Sequence, residues 1–76
     1  MSNSLISFLK NRRKLLGLTQ KELAERAGVG IRFIREMEQG KESLRLDKVN
    51  QVLSLFGHEM RPVRIERKES VDESQR

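Results

Sequence analysis

Four stretches of helical apolar spacing, broken at Gly17, Gly28, Gly40 and Gly57, leave this chain little room for anything but a small all-helical domain. In the first stretch, about Ser4 to Leu16, Leu5, Phe8, Leu9 and Leu16 fall on one side, and Gly17 supplies a left-handed stop. The second opens with Thr19-Gln20-Lys21-Glu22. There the Thr19 hydroxyl can accept from the Glu22 amide while the Glu22 carboxylate reaches back to the Thr19 amide, a capping box. Leu23, Ala24 and Ala27 then give a narrow face of small residues that lets another helix come close.

Only Ala27-Gly28-Val29-Gly30 separates this helix from the next, too short for a free linker, and Gly28 suits the positive φ a reversal requires. The third helix is expected over Ile31 to Gln39, ended by Gly40. A polar turn, Lys41 to Arg45, leads into the fourth, about Leu46 to Phe56. There Leu46, Val49, Val52, Leu53 and Phe56 make one stripe.

Beyond Gly57 the pattern changes. His58 to Ile65 alternates in part, and Pro62 restricts it to an edge strand at most. From Glu66 onward Val71 is the sole apolar residue among charges and serines, a composition expected to stay disordered. The chain therefore divides into a helical domain (1–57), a short segment able to pair as a strand (58–65) and a tail (66–76).

With 76 residues, one core is all that can form, and it is marginal without a staple or a second subunit. No cysteine is present and only one histidine, which excludes disulfides and a multi-ligand zinc site. Unless the helices alone are idealised enough to suffice, self-association is expected. No segment has the length or apolarity of a bilayer span, and Met1 to Leu9 lacks signal-peptide character, so a soluble, cytoplasmic protein with no membrane contact is expected. Thirteen of the sixteen basic side chains but seven of the eleven acidic ones lie before Glu66, which makes the helical domain the basic part. Such a domain favours polyanions, because neutralising phosphates releases condensed counterions.

Two short helices joined by a glycine-containing turn form the unit in which the second helix can enter a major groove. At about 100° per residue, Ile34, Met37 and Glu38 group on one side of the third helix. Arg32, Glu36 and Gln39 lie opposite, with Phe33 and Arg35 flanking. Arg can pair with guanine, Gln with adenine and Glu with the cytosine amino group, while an aromatic ring can meet a thymine methyl. A solvated surface face is the competing reading of the same residues.

The run Leu16-Gly17-Leu18-Thr19-Gln20-Lys21-Glu22-Leu23-Ala24, followed by Ala27-Gly28-Val29, Ile34 and Glu38-Gln39-Gly40-Lys41, resembles the Cro/phage-repressor, or XRE, helix-turn-helix family over about residues 5–57. Gly30 to Ile34, Leu44 to Asp47 and the short segment after Gly57 are similar to HipB-like antitoxins. The resemblance implies a lambda-repressor-like domain of four to five helices with a short C-terminal edge strand. It also implies a homodimer that binds double-stranded DNA and acts as a repressor. The alternative it carries is an antitoxin that restrains a HipA-like kinase and regulates its own operon. A third possibility is a folded domain that has lost DNA binding.

On this resemblance the DNA-base contacts come from Ile31, Arg32, Phe33, Arg35 and Glu36, of which Arg32, Phe33 and Glu36 match base-facing positions, with Ile31 at the helix entry and Arg35 nearer the backbone; Gln20 and Lys41 match phosphate contacts. Arg13 and Glu38 match an ion pair tying the first helix to the third. Leu55, Met60 and Val63 are the candidates for a dimer interface. The chain departs from the family pattern at Gly30, where a hydroxyl residue often caps the helix, and at Phe33, large for a groove-facing site. Phe33 could meet a thymine methyl, pack on the second helix or touch a partner. No enzyme or cofactor is expected. Gly28-Val29-Gly30 follows no strand and Phe33 stands where a dinucleotide motif needs its third glycine, while His58 has no catalytic companions.

Overall fold

The computed structural model describes residues 2–65; the expected tail, 66–76, lies outside the described residues. Four helices form: α1 (Ser2–Leu15), α2 (Gln20–Ala27), α3 (Ile31–Gln39) and α4 (Leu46–Ser54). The fold is all-α, and no strand occurs among the described residues.

Local chemistry accounts for the ends of the central pair. The Thr19 Oγ1 accepts from the Glu22 N–H at 3.0 Å and Glu22 Oε1 accepts from the Thr19 N–H at 2.8 Å, which closes the capping box. At the other end of α2, Gly28 adopts φ 76° and both it and Val29 donate to the Ala24 carbonyl. Gly40 repeats this after α3 with φ 84°, so that the Lys41 N–H returns to the Glu36 carbonyl at 3.0 Å. Both are left-handed C-caps, which a side chain at the turn residue would strain.

α3 packs on α1 and α2, and α4 packs on α2. Leu9, Leu23, Ile34, Met37 and Val52 are fully buried, with Leu18, Ala24, Ala27, Val49 and Leu53 around them. Burying each of the large side chains is worth about 1.5–3 kcal/mol before chain entropy is counted. The Gln51 amide, from α4, donates to the carbonyls of Ala27 and Gly28 at 2.9 and 3.0 Å and so covers the end of α2.

Two expected core positions are surface positions instead. Leu16 is 55% exposed because α1 ends at Leu15 and the chain turns at Gly17, which sends Leu18 into the core in its place. Leu46 is 58% exposed, since it is the first residue of α4 and lies beyond the reach of the helices packed on Val49 and Val52. α4 also ends earlier than its stripe: Leu55, Phe56 and Gly57 donate to carbonyls three residues back, tightening the last turn.

After that turn the chain is anchored by aromatic contacts. The Phe8 ring meets Phe56 edge-on with centroids 6.1 Å apart and lies 4.5 Å from the His58 ring, with the Arg12 guanidinium 4.9 Å from its centroid. The Met60 N–H then donates to Asn50 Oδ1 at 2.7 Å. Residues 58–65 form no strand. A strand needs a neighbour to exchange backbone hydrogen bonds with, and the single chain offers none.

Candidate nucleic-acid interface

Most of the sequence-derived candidates lie on α3, at the start of α2 and in the turn after Gly40. On α3, Ile34, Met37 and Glu38 are buried, whereas Arg32 and Arg35 are exposed and Ile31, Phe33 and Glu36 are half-buried. Phe33 is half-buried and packs in part against the hydrophobic core. Its ring is therefore held by protein contacts on one side. Gly30 takes the extended N-cap conformation, φ −76° and ψ 154°, with no side-chain cap.

Beneath this face lies a polar network. Arg13 of α1 forks onto Glu38, Nε to Oε2 at 2.7 Å and Nη2 to Oε1 at 3.0 Å, and donates from Nη1 to the Leu18 carbonyl at 2.9 Å. Glu38 is buried, its side chain 3% exposed, and the Arg13 side chain is 16% exposed. A third donor, Gln20 Nε2, reaches Glu38 Oε1 at 3.1 Å. Burial alone would push the Glu38 carboxyl up. The hydrogen bonds from Arg13 and Gln20, with the charges of Arg13 and Lys10, outweigh that and hold it below the ordinary value. Arg13 is shifted upward in turn, chiefly by its hydrogen bonds to Glu38. A buried charge with its hydrogen bonds satisfied on both sides is the arrangement that tolerates desolvation.

Gln20 is thus half-buried at the first position of α2, its amide drawn toward Glu38. The start of α2 carries the positive end of the helix dipole, and the Glu22 carboxylate is engaged in the capping box. The hydrogen bonds from the Thr19 backbone and side chain depress the pKa of Glu22. On the opposite edge of α3, Lys41 Nζ lies 3.4 Å from Glu36 Oε2, both partly exposed. Leu55, Met60 and Val63 are all exposed, Val63 at 82%.

Sequence reasoning missed Gln20 as a partner of Glu38, Gln51 as a cover for α2 and the His58 contact with Phe8. None of these has a local signature, because the partners are joined across 18 to 50 positions of chain. Among the described residues no group of His, Cys, Asp and Glu could hold a metal ion, and no helix is long and apolar enough to cross a membrane.

With this geometry in view, the chain matches the helix-turn-helix family over residues 9–60. It is 51% identical over 45 residues to the uncharacterized HTH-type transcriptional regulator y4mF of Sinorhizobium fredii, an alignment spanning 59% of each chain. Over 53 residues it is 40% identical to an uncharacterized HTH-type transcriptional regulator of Methanothermobacter thermautotrophicus, covering 70% of this chain and 77% of that one. No solved structure matches. The narrower likeness to HipB-like antitoxins rests on the sequence resemblance alone.

Proposed function

Because the chain belongs to the helix-turn-helix family, we propose that it is a sequence-specific DNA-binding transcriptional repressor working as a homodimer. The observation that carries this reading is the division of α3 into an inner face locked to α1 and to the start of α2 through Glu38, and an outer face that exposes Arg32 and Arg35. A reading helix must be rigid against its own domain and free toward the groove. The Arg13–Glu38–Gln20 network and the packing of Ile34 and Met37 supply the first, and the exposed Arg32 and Arg35 the second.

In this reading α3 enters the major groove, where Arg32, Phe33 and Glu36 face base edges, Ile31 sits at the entry and Arg35 lies nearer the backbone. Gln20 and Lys41 flank it on phosphates. Two copies, paired through the segment after Gly57 with Leu55, Met60 and Val63, place two α3 helices in successive major grooves about 34 Å apart. Support for that pairing is the apolar surface the single chain leaves open there: Met60, Val63 and Ile65 are all exposed. Occupying a promoter in this way excludes the transcription machinery.

Selection of bound sequences from a random duplex pool tests binding and symmetry together. A recovered pseudo-palindrome with half-site centres about one helical turn apart is the expected result. Recovery of no consensus, or of a single asymmetric site, contradicts the dimeric repressor.

A further inference from the structure

We propose that Glu36 and Lys41 form an exchangeable pair that couples base recognition to phosphate contact, with Glu36 withholding Lys41 from the DNA backbone until a base-edge amino group takes its place. This rests on the DNA-binding reading above and concerns how that same face discriminates between sequences.

Lys41 is tied to Glu36 in two ways. The left-handed turn at Gly40 brings the Lys41 N–H back onto the Glu36 carbonyl at 3.0 Å, and the Lys41 ammonium then lies 3.4 Å from Glu36 Oε2. The backbone bond fixes the base of the lysine, while the four-carbon stem leaves its ammonium able to swing. The side-chain pair is partly exposed, Lys41 at 50% and Glu36 at 30%, so it is weak and readily exchanged.

A carboxylate only accepts hydrogen bonds. In the major groove the phosphates, the guanine O6 and N7 and the thymine O4 are acceptors too, and they repel it. The amino groups of cytosine and adenine alone offer it a donor. Opposite an acceptor edge Glu36 keeps Lys41 as its counterion, and the lysine is not released to a phosphate. Opposite an amino group the base satisfies Glu36, and Lys41 moves to the backbone. A wrong base thus loses a base contact and a phosphate contact together, which sharpens discrimination beyond what either residue supplies alone.

A double-mutant cycle reads this coupling. The parent chain, Glu36→Gln, Lys41→Met and the double variant are titrated with the selected operator and with a random duplex of equal length over a range of salt concentrations. Glu36→Gln is expected to raise affinity for the random duplex about two- to fivefold, the range an exposed ion pair is worth. Its salt dependence should steepen by about 0.9 in log–log slope, one more neutralised phosphate, and the operator-to-random ratio should fall. In the Lys41→Met background the same substitution relieves only the carboxylate's own repulsion, so the gain on the random duplex is expected to be smaller and the salt slope unchanged. Equal gains in both backgrounds, or no gain in the parent, overturn the exchange while leaving DNA binding intact. A parent chain that binds no duplex overturns the DNA-binding reading itself, and the exchange with it.

Discussion

Gln20 and Glu38 stand 18 residues apart and share one hydrogen bond, Nε2 to Oε1 at 3.1 Å, which joins the first residue of α2 to the buried acid of α3. Since Arg13 holds the same carboxylate from α1, three helices meet on one side chain. The orientation of the two helices that face DNA in the proposed complex therefore depends on the charge of Glu38.

Stability should depend on that charge through pH. The folded-state pKa of Glu38 is below its ordinary value of 4.5, so its contribution is complete above that value and is lost as pH falls through the folded pKa. Glu38→Gln is expected to cost about 3 kcal/mol at neutral pH, because the part-buried Arg13 loses its counter-charge and one of its two side-chain acceptors. It should also flatten part of the acid limb of a plot of Tm against pH. Equal Tm for the two proteins at pH 7 would remove the structural role.

Gly30→Ser should stabilise the domain. The Gly30 backbone is already in the extended N-cap conformation, no side-chain cap is present, and a Cβ there meets open space. A hydroxyl cap together with a less flexible unfolded chain is worth about 0.5–1 kcal/mol, or a Tm rise of about 4 °C in a domain of this size. Thermal melting followed by circular dichroism checks it.

Gly40→Ala should do the opposite. A Cβ at φ 84° is strained, and it would lie 2.8 Å from Ile6 Cδ1. The isoleucine tip can rotate away, so the backbone term dominates at about 1–2 kcal/mol. Trimming Ile6 to Val in the Gly40→Ala background should recover little of the loss in denaturant melts. Full recovery would place the cost in the contact with Ile6.

Arg32→Ala and Gln20→Ala should fail differently on DNA. Loss of a base reader costs about 1–3 kcal/mol and relaxes preference at one position of each half-site, whereas loss of a phosphate contact weakens all sequences alike. Competition titrations with operator and random duplexes separate the two. Equal losses on both duplexes for Arg32→Ala would contradict its assignment to a base.

A chain ending at Met60 should be monomeric. It keeps the His58 contact with Phe8 and the Asn50 bond to the Met60 N–H, so the helical domain retains its anchors while Val63 and Ile65 are gone. Light scattering at micromolar concentration gives the mass. An undiminished dimer would move the interface elsewhere.

The helices, the glycine stops after the first three of them and the Thr19–Glu22 capping box were legible in the sequence. Each depends on residues within about four positions of one another, where backbone geometry alone sets who can meet whom. The inward placement of Ile34, Met37 and Glu38 was legible for the same reason, as a helical wheel needs only one helix. What lay beyond the wheel was how far neighbouring helices extend. Leu16 and Leu46 sit at helix ends that nothing overhangs, and their apolarity did not bury them. The links from Gln20 to Glu38 and from Gln51 to the end of α2, like the contact of His58 with Phe8, exist only once distant segments are packed. Long side chains have many rotamers within reach of many partners, and tertiary packing selects among them.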